Sequence, residues 1–323
     1  MDFAIQPAQN TLDKQIIQSA VNISEGRDVR LMDQIAEIAA EHCLVADQSA
    51  DPDHNRMVIT VLGSPEEMST AVVAITEVAV RQIDLNNHKG IHPRIGAVDV
   101  VPLTPIRNIS MAECVELSYK LGSELADRFQ LPVYFYEESA KPGRVVDLPT
   151  LRRGGFEAVR ESMLIPDVGP NRRHPTAGAV VVGARSPLVA WNIWLKTDDE
   201  KIAKKIAARI RKDRDFRPEL AGVRALGLYL QTRQQTQISM NVSQPLATPM
   251  VPIFDFVARI AEECGTAAVE SEIIGLIPVE SLGEYGPGRI LWSNFKPSQL
   301  ISTWLHHFNK LTRISNKITG AKI

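Results

Sequence analysis

The order of local signals along this chain repeats, and that repetition limits its fold more than any single motif does. Short β-branched or aromatic runs bounded by Pro, Gly and Asp mark strands at Ile16–Ile23, Leu44–Asp47, Met57–Leu62, Ala97–Leu103, Pro132–Tyr136, Ala179–Gly183, Leu188–Leu195, Val223–Leu230, Thr236–Val242 and Ala267–Leu276. Helix starts are legible between them, because an N-cap hydroxyl and a glutamate three residues on satisfy each other's backbone donors. Ser64-Pro65-Glu66-Glu67, Ser110-Met111-Ala112-Glu113 and Thr197-Asp198-Asp199-Glu200 all carry this box. Behind the first, Pro65 takes the favoured first helical position, and Met68, Val72, Ile75, Val78 and Ala79 recur at helical spacing to about Arg81. The same periodicity predicts helices over about Val29 to His42, after Thr197 through Ile210, and near 252–264.

Residues 16 to 103 therefore read β-α-β-β-α-β, and residues 188 to 276 read the same order. This is the split βαβ, ferredoxin-like unit, in which two helices cover one face of a mainly antiparallel sheet. The expected fold class is α+β, built as two tandem ferredoxin-like two-layer subdomains. At roughly 150 residues per domain, 323 residues accommodate both. The segment from Lys141 to His174 is rich in Pro and Gly and has the composition of a connector, so the division is expected near its end, giving subdomains 1–178 and 179–323. No sequence-level repeat accompanies the repeated order.

Composition narrows the partners. With 44% hydrophobic and 23% charged residues the chain is ordinary for a soluble globular protein. A net charge of −2 excludes a broad positive field for nucleic acid, although a local basic cluster in a cleft would not register in that sum. Cys43, Cys114 and Cys264 lie far apart and are odd in number, so they are expected to be reduced, buried thiols. The polar residues Met1 to Lys14 lack the apolar core of a secretory signal, and the most apolar stretch, Ala177 to Leu195, is broken by Arg185, Ser186 and Pro187. A cytoplasmic protein with no membrane partner is expected.

Polar loops carry the candidate chemistry. The densest runs from Asn86 to Asp99 and includes His88, Lys89, Gly90, His92, Pro93 and Arg94 just before a strand. A spacing of four between His88 and His92 invites a zinc reading, but Gly90 and Pro93 argue against the continuous helix it needs. A turn-capping role for either histidine stays open. Asp47 to Arg56 brings carboxylates, His54, Asn55 and Arg56 between two strands, where they can bind a polar substrate and bias proton transfer, or form an Asp-Pro-Asp turn. Asn22 to Arg27 reads alone as a helix start. Beyond the connector, Pro166 to Gly178 would let backbone amides approach a flat ligand, with Arg172 and Arg173 to neutralise carboxylates. The chain has no phosphate-binding loop, dinucleotide fingerprint or G-x-S-x-G elbow, which removes the main support for nucleotide hydrolysis, nicotinamide chemistry and common serine hydrolases.

Taken together, Asn22-x-Ser24-Glu25-Gly26-Arg27, Asp51-x-Asp53-His54-Asn55-Arg56, His88-Lys89-Gly90-x-His92-Pro93-Arg94-x-Gly96-Ala97-x-Asp99, Pro166-Asp167-x-Gly169-Pro170 and Gly183-Ala184-Arg185 resemble the formiminotransferase domain family, the glutamate formimidoyltransferases that act on tetrahydrofolate. The resemblance runs from about residue 16 to Phe295-x-Pro297, and the His-Lys-Gly-x-His-Pro-Arg block is its specific part. It implies a folate-binding cleft between two α+β subdomains, usually a homodimer, with tetrahydrofolate as co-substrate and formiminoglutamate as donor, commonly in histidine catabolism. The catalytic histidine of the pattern falls on His92. The folate-contacting stretch falls on Pro166, Asp167, Gly169, Pro170, Asn171, Arg172, Arg173, His174 and Gly178. One departure is Ser49, where the two-domain animal relatives carry an acidic residue; Asp51 and Asp53 are expected to take over its electrostatic role, as in the bacterial branch. The chain stops where those relatives continue into a cyclodeaminase domain, so that activity is expected to be absent.

On this reading His92 shuttles a proton from the folate N5 nitrogen to the departing glutamate nitrogen. Asp51, Asp53 and Asp99 are candidates to stabilise a charged amidine. Arg56 with Asn55, and Lys89, Arg94, Arg172 and Arg173, are candidates to bind substrate carboxylates. No metal is expected. Two other readings compete: transfer of a formyl group between 5-formyltetrahydrofolate and glutamate, and a folate-binding module without turnover.

Overall fold

The structure is a computed structural model that describes residues 14–144, 146–159 and 165–308. The first unit opens with β1 (Ile16–Ile23), α1 (Val29–Ala40), β2 (Leu44–Asp51), β3 (Arg56–Gly63), α2 (Pro65–Gln82) and β4 (Val98–Arg107). It continues through α3 (Met111–Phe129), β5 (Val133–Phe135), two short helices α4 (Leu148–Leu151) and α5 (Gly155–Val159), and β6 (Val180–Ala184). The second unit comprises β7 (Val189–Leu195), α6 (Glu200–Asp213), β8 (Val223–Leu230), β9 (Gln235–Val242), α7 (Met250–Glu263) and β10 (Ala268–Ile274). Residues 301–308 are helical.

Both units use one strand order. The second sheet runs β10-β7-β9-β8 with every pair antiparallel. In the first, β2-β3-β1-β4 repeats that order, again antiparallel, and the sheet then continues into β6 and β5, which run parallel to β4. The first unit is thus larger than expected by two strands. The strand at Val180–Ala184 pairs with β4 and β5, so by sheet membership the chain divides between β6 and β7 and not after residue 178.

Alternation along the strands sets which face meets the helices. Ile17, Val21 and Ile23 of β1 and Ile59 and Val61 of β3 pack with α1, α2 and α3, whereas Gln18, Ala20 and Asn22 point to the other side. The second unit repeats this: Trp191, Ile193 and Leu195 join Ile206 and Phe254 under α6 and α7. The helix-free face of β1 and β3 meets the second unit, where Ile16 and Leu62 cluster with Leu276 and Ile301. That side also buries polar atoms with no partner, namely Gln18 Oε1, Asn22 Oδ1 and Thr60 Oγ1, and Gln237 on β9 is likewise buried with both polar atoms unpaired.

The capping boxes at Ser64 and Ser110 form as expected. The Glu67 and Glu113 carboxylates accept the N-cap amides at 2.7 and 2.8 Å, and the serine hydroxyls accept the amides in return. The box expected at Thr197 does not form. Its carbonyl accepts the amide and hydroxyl of Thr236, which holds Thr197 beside the start of β9, and Asp199 caps α6 instead. β2 extends four residues past the expected Asp47, because it is the sheet's edge strand and tolerates the polar Gln48 to Asp51. The three cysteines are free; Cys43 and Cys114 are buried and Cys264 is half-buried. Among the described residues no helix is long and apolar enough to cross a membrane.

Candidate active site

Three loops converge beside β1: the segment after β1, the β2–β3 hairpin and the long loop joining α2 to β4. Between them lies a narrow recess lined by Ile23, Ser24, His54, Asn55, Arg56, His88, His92, Arg94 and Asp99.

The hairpin is built by its own side chains. Asp51 pairs with Arg56 across the ladder, and its Oδ1 accepts the amides of Asp53 and His54, each at 2.8 Å. Asp51 therefore shapes the turn and does not line the recess. Asn55 closes the turn with φ at +47°, a conformation asparagine tolerates. Its Oδ1 accepts the Gly26 amide at 3.0 Å and its Nδ2 donates to the Lys89 carbonyl at 3.1 Å, so one buried side chain joins all three loops. Gly90 presses its backbone against the His54 carbonyl, where any side chain would collide. Ser24 completes the joint by donating to Gly96 O at 2.7 Å.

His88 and Arg94 are structural here. His88 Nε2 donates to the Asn55 carbonyl at 2.8 Å, and Nδ1 accepts from Arg94 Nε at 3.0 Å. Both ring nitrogens are occupied, and burial lowers the ring's pKa. Arg94 also makes a two-bond contact with Glu157 of α5, both at 3.0 Å, so the structure does not leave it open for a substrate carboxylate.

His92 sits differently. Its Nδ1 donates to the Pro93 carbonyl at 2.8 Å, which leaves Nε2 unprotonated, and Arg56 Nη1 stands over the ring, 2.5 Å from Nε2 and 3.0 Å from Nδ1. Burial, then the positive charges of Arg56 and Arg152, hold its pKa well below the ordinary imidazole value. The His54 ring lies 5.6 Å away, and His54 Nε2 is buried without a partner. Burial lowers the pKa of His54 as well. The recess thus holds neutral imidazoles beside two guanidinium groups.

Among the described residues Asp99 is the one carboxylate that lines it. Asp99 is buried; its Oδ1 accepts the Ile95 amide at 2.8 Å and its Oδ2 accepts from Arg152 Nη2 in a buried ion pair. Asp99 is engaged as an anchor and not presented to a ligand. Arg152, just after α4, was not among the candidates; it lies in the Gly- and Pro-rich connector with no motif to mark it, 53 positions from its partner. His54, read in the sequence as part of a group that binds a polar substrate and biases proton transfer or forms a turn, lines the recess.

The stretch from Pro166 to Gly178 lies alongside the α2–β4 loop, with Ala97 donating to Ala177 O and Leu85 donating to Thr176 O. It does not line the recess. Asp167 accepts from the Phe135 amide and Arg144 Nε, both at 2.9 Å, which fixes β5. Gly169 and Gly178 have positive φ and pack on carbonyls, and His174 Nδ1 accepts the Ala177 amide at 3.0 Å. Arg173 lies 3.9 Å over the Phe156 ring and donates to its carbonyl. Asn171, Arg172 and Lys89 are exposed, and Pro166 and Pro170 are half-buried. Among the described residues no group of three or more His, Cys, Asp or Glu is placed to hold a metal ion.

Residues 16–185 match the formiminotransferase domain, N-terminal subdomain, and residues 190–287 match the formiminotransferase domain. A glutamate formimidoyltransferase of Thermoplasma acidophilum is 36% identical over 278 residues, 83% of this chain and 89% of the relative. One from Streptococcus pyogenes serotype M1 is 35% identical over 273 residues, 83% of this chain and 90% of the relative. The formimidoyltransferase-cyclodeaminase of Mus musculus is 35% identical over 277 residues, again 83% of this chain but 51% of the relative, so the chain spans about half the length of that protein. The division between the two domain matches falls where the sheets divide, between β6 and β7, and the loops that build the recess lie within the first match. With both matches in register with its two sheets, the chain belongs to the formiminotransferase domain family.

Proposed function

We propose that this protein is a glutamate formimidoyltransferase that moves the formimino group of N-formimino-L-glutamate to N5 of tetrahydrofolate. The observation that carries the reading is His92: a neutral imidazole whose Nδ1 is on the Pro93 carbonyl and which packs against the Arg56 guanidinium, a group with no ion pair among the described residues. The N5 nitrogen adds to the formimino carbon and gives its proton to His92. The tetrahedral centre collapses as the bond from that carbon to the glutamate nitrogen breaks and His92 returns the proton to the departing nitrogen. One proton crosses from N5 to glutamate and no redox partner is needed. An imidazole that stays neutral at working pH is ready to accept, and its acidic conjugate donates readily.

Tetrahydrofolate serves as co-substrate, with its pterin end at the recess. The unpaired polar atoms of Gln18, Asn22 and Thr60 on the helix-free side of the first sheet favour a polar ligand beside the second unit. Arg172, Asn171 and Lys89, exposed near the same loops, suit the polyanionic tail. Asp51 and Asp99 act as positioning residues. A metal has no role in this scheme, in which His88 is held by Asn55 and Arg94. A cytoplasmic homodimer is the assembly proposed.

The test is incubation with tetrahydrofolate and N-formimino-L-glutamate, followed by detection of released glutamate. Release that depends on both substrates supports the reading. Activity only with 5-formyltetrahydrofolate and glutamate, or folate binding without transfer, overturns it.

A further inference from the structure

Arg56 is the unusual cation of the recess. Arg94, the other lining guanidinium among the described residues, is paired with Glu157, and Arg152 behind the recess is paired with Asp99. Arg56 has none among the described residues: its Nε is buried without a partner, and its Nη1 rests on His92, 2.5 Å from Nε2 and 3.0 Å from Nδ1. A buried guanidinium seated on a neutral imidazole, with a donor unsatisfied, is a site prepared for an anion. Lying 2.5 Å from Nε2 and 3.0 Å from Nδ1, it stands over the ring and crowds the approach to the nitrogen that a base must use.

We propose that Arg56 reads the α-carboxylate of the amino-acid substrate, and that taking up this carboxylate draws Arg56 off His92 Nε2 and uncovers the base. The inference rests on the formimidoyltransferase reading and adds to it which carboxylate is recognised and when the base becomes usable. Chemistry selects the α-carboxylate. It shares a carbon with the nitrogen that must leave, so a guanidinium within 3.0 Å of His92 that grips it brings that nitrogen to the imidazole. The γ-carboxylate lies two carbons further along the side chain and would hold the reacting nitrogen away. An empty site would keep its base covered, and a ligand without the α-carboxylate would leave it so.

The groups facing His92 are Arg56 from β3, Arg152 after α4, His54 from the hairpin and Asp99 from β4. Asp99 is already held by Arg152, so the incoming carboxylate is the new charge. Its arrival beside Arg56 favours the protonated imidazole, so the titration midpoint of His92 rises on binding.

Nitrogen-15 NMR of the histidine rings tests this with three ligands: L-glutamate, L-glutamine, which keeps the α-carboxylate, and L-isoglutamine, which replaces it by an amide. Glutamate and glutamine are expected to raise the His92 midpoint; isoglutamine is not. In Arg56→Gln the free midpoint is expected to start higher and to respond to none of the three. Kinetically, N-formimino-L-isoglutamine should lose kcat by about 100-fold, the scale of losing general acid–base help, while N-formimino-L-glutamine loses mainly through KM. A shift with isoglutamine equal to that with glutamate, or an undiminished shift in Arg56→Gln or Arg56→Lys, overturns the proposal. If the wild-type protein transfers no formimino group, the functional reading fails, and the ring titration alone decides the carboxylate contact.

Discussion

Asp53 reaches from the first unit to Thr232 in the second, its Oδ2 accepting both the amide at 3.0 Å and the hydroxyl at 2.7 Å of a residue 179 positions on. The contact ties the β8–β9 turn to the hairpin that carries His54, Asn55 and Arg56. Asp53, one of the carboxylates the sequence offers to balance an amidine charge, joins the two units.

Because both partners are exposed, the bond contributes only about 1 kcal/mol or less to stability, but it fixes the hairpin beside the recess. Asp53→Ala and Thr232→Val should each leave the melting temperature within a few degrees of wild type while lowering kcat by up to about tenfold. Equal losses in the double and single variants would confirm one shared contact. Full activity in Asp53→Ala would show that the hairpin holds its shape unaided.

The two histidines of the block should separate by readout. His92→Ala is expected to lower kcat by about two to four orders of magnitude with tetrahydrofolate still bound, and near-normal turnover would remove His92 from the chemistry. His88→Ala leaves the Asn55 carbonyl and Arg94 Nε without their partner, so it should destabilise the fold by about 1–3 kcal/mol and reduce kcat less. Denaturant unfolding beside steady-state kinetics distinguishes them.

Stability should fall on the acid side within the imidazole range. His54, His88, His92 and His174 all have folded pKa values lowered from 6.5, chiefly by burial. Below that value the unfolded chain binds more protons than the folded one, so their contribution is fully present above pH 6.5 and is lost as pH falls through the folded values. Each histidine contributes a slope of at most about 1.4 kcal/mol per pH unit. Glu67, Glu113 and Glu157, lowered from 4.5, add their loss only below that value. Melting temperatures measured from pH 8 to 5 should stay level and then decline; a steady rise on acidification would contradict the buried neutral imidazoles. The acid limb of kcat/KM should likewise lie below 6.5 for a base held as His92 is.

Local patterns carried most of the fold. Strands such as Ile16–Ile23 and Val223–Leu230 were legible to the residue, since alternation and turn residues agree there. What pattern could not supply was sheet membership: nothing local to Val180–Ala184 says that it pairs with β4 and β5. The site divides in the same way. His92, Asn55 and Arg56 stand in dense polar loops and could be singled out. The occupation of Arg94 by Glu157, the ring beneath Arg173 and the ion pair of Asp99 with Arg152 depend on residues 17 to 63 positions away, and counting cations in a loop cannot tell a free guanidinium from an engaged one.

That last pair gives the sharpest stability test. Asp99 and Arg152 are 3% and 8% exposed, so removing one partner strands a charge in a place water does not reach. Arg152→Met should destabilise the protein by about 3–5 kcal/mol, and Asp99→Asn by a similar amount, since the asparagine can still accept the Ile95 amide but leaves the Arg152 guanidinium buried without a carboxylate. The double variant Asp99→Asn/Arg152→Met leaves no unpaired charge and should be more stable than the sum of the single losses predicts, by about 2 kcal/mol or more. Urea unfolding of the four proteins measures the coupling directly. Strict additivity would mean that the two groups do not depend on each other, and that packing of Leu151 and Phe156 holds this segment without the ion pair.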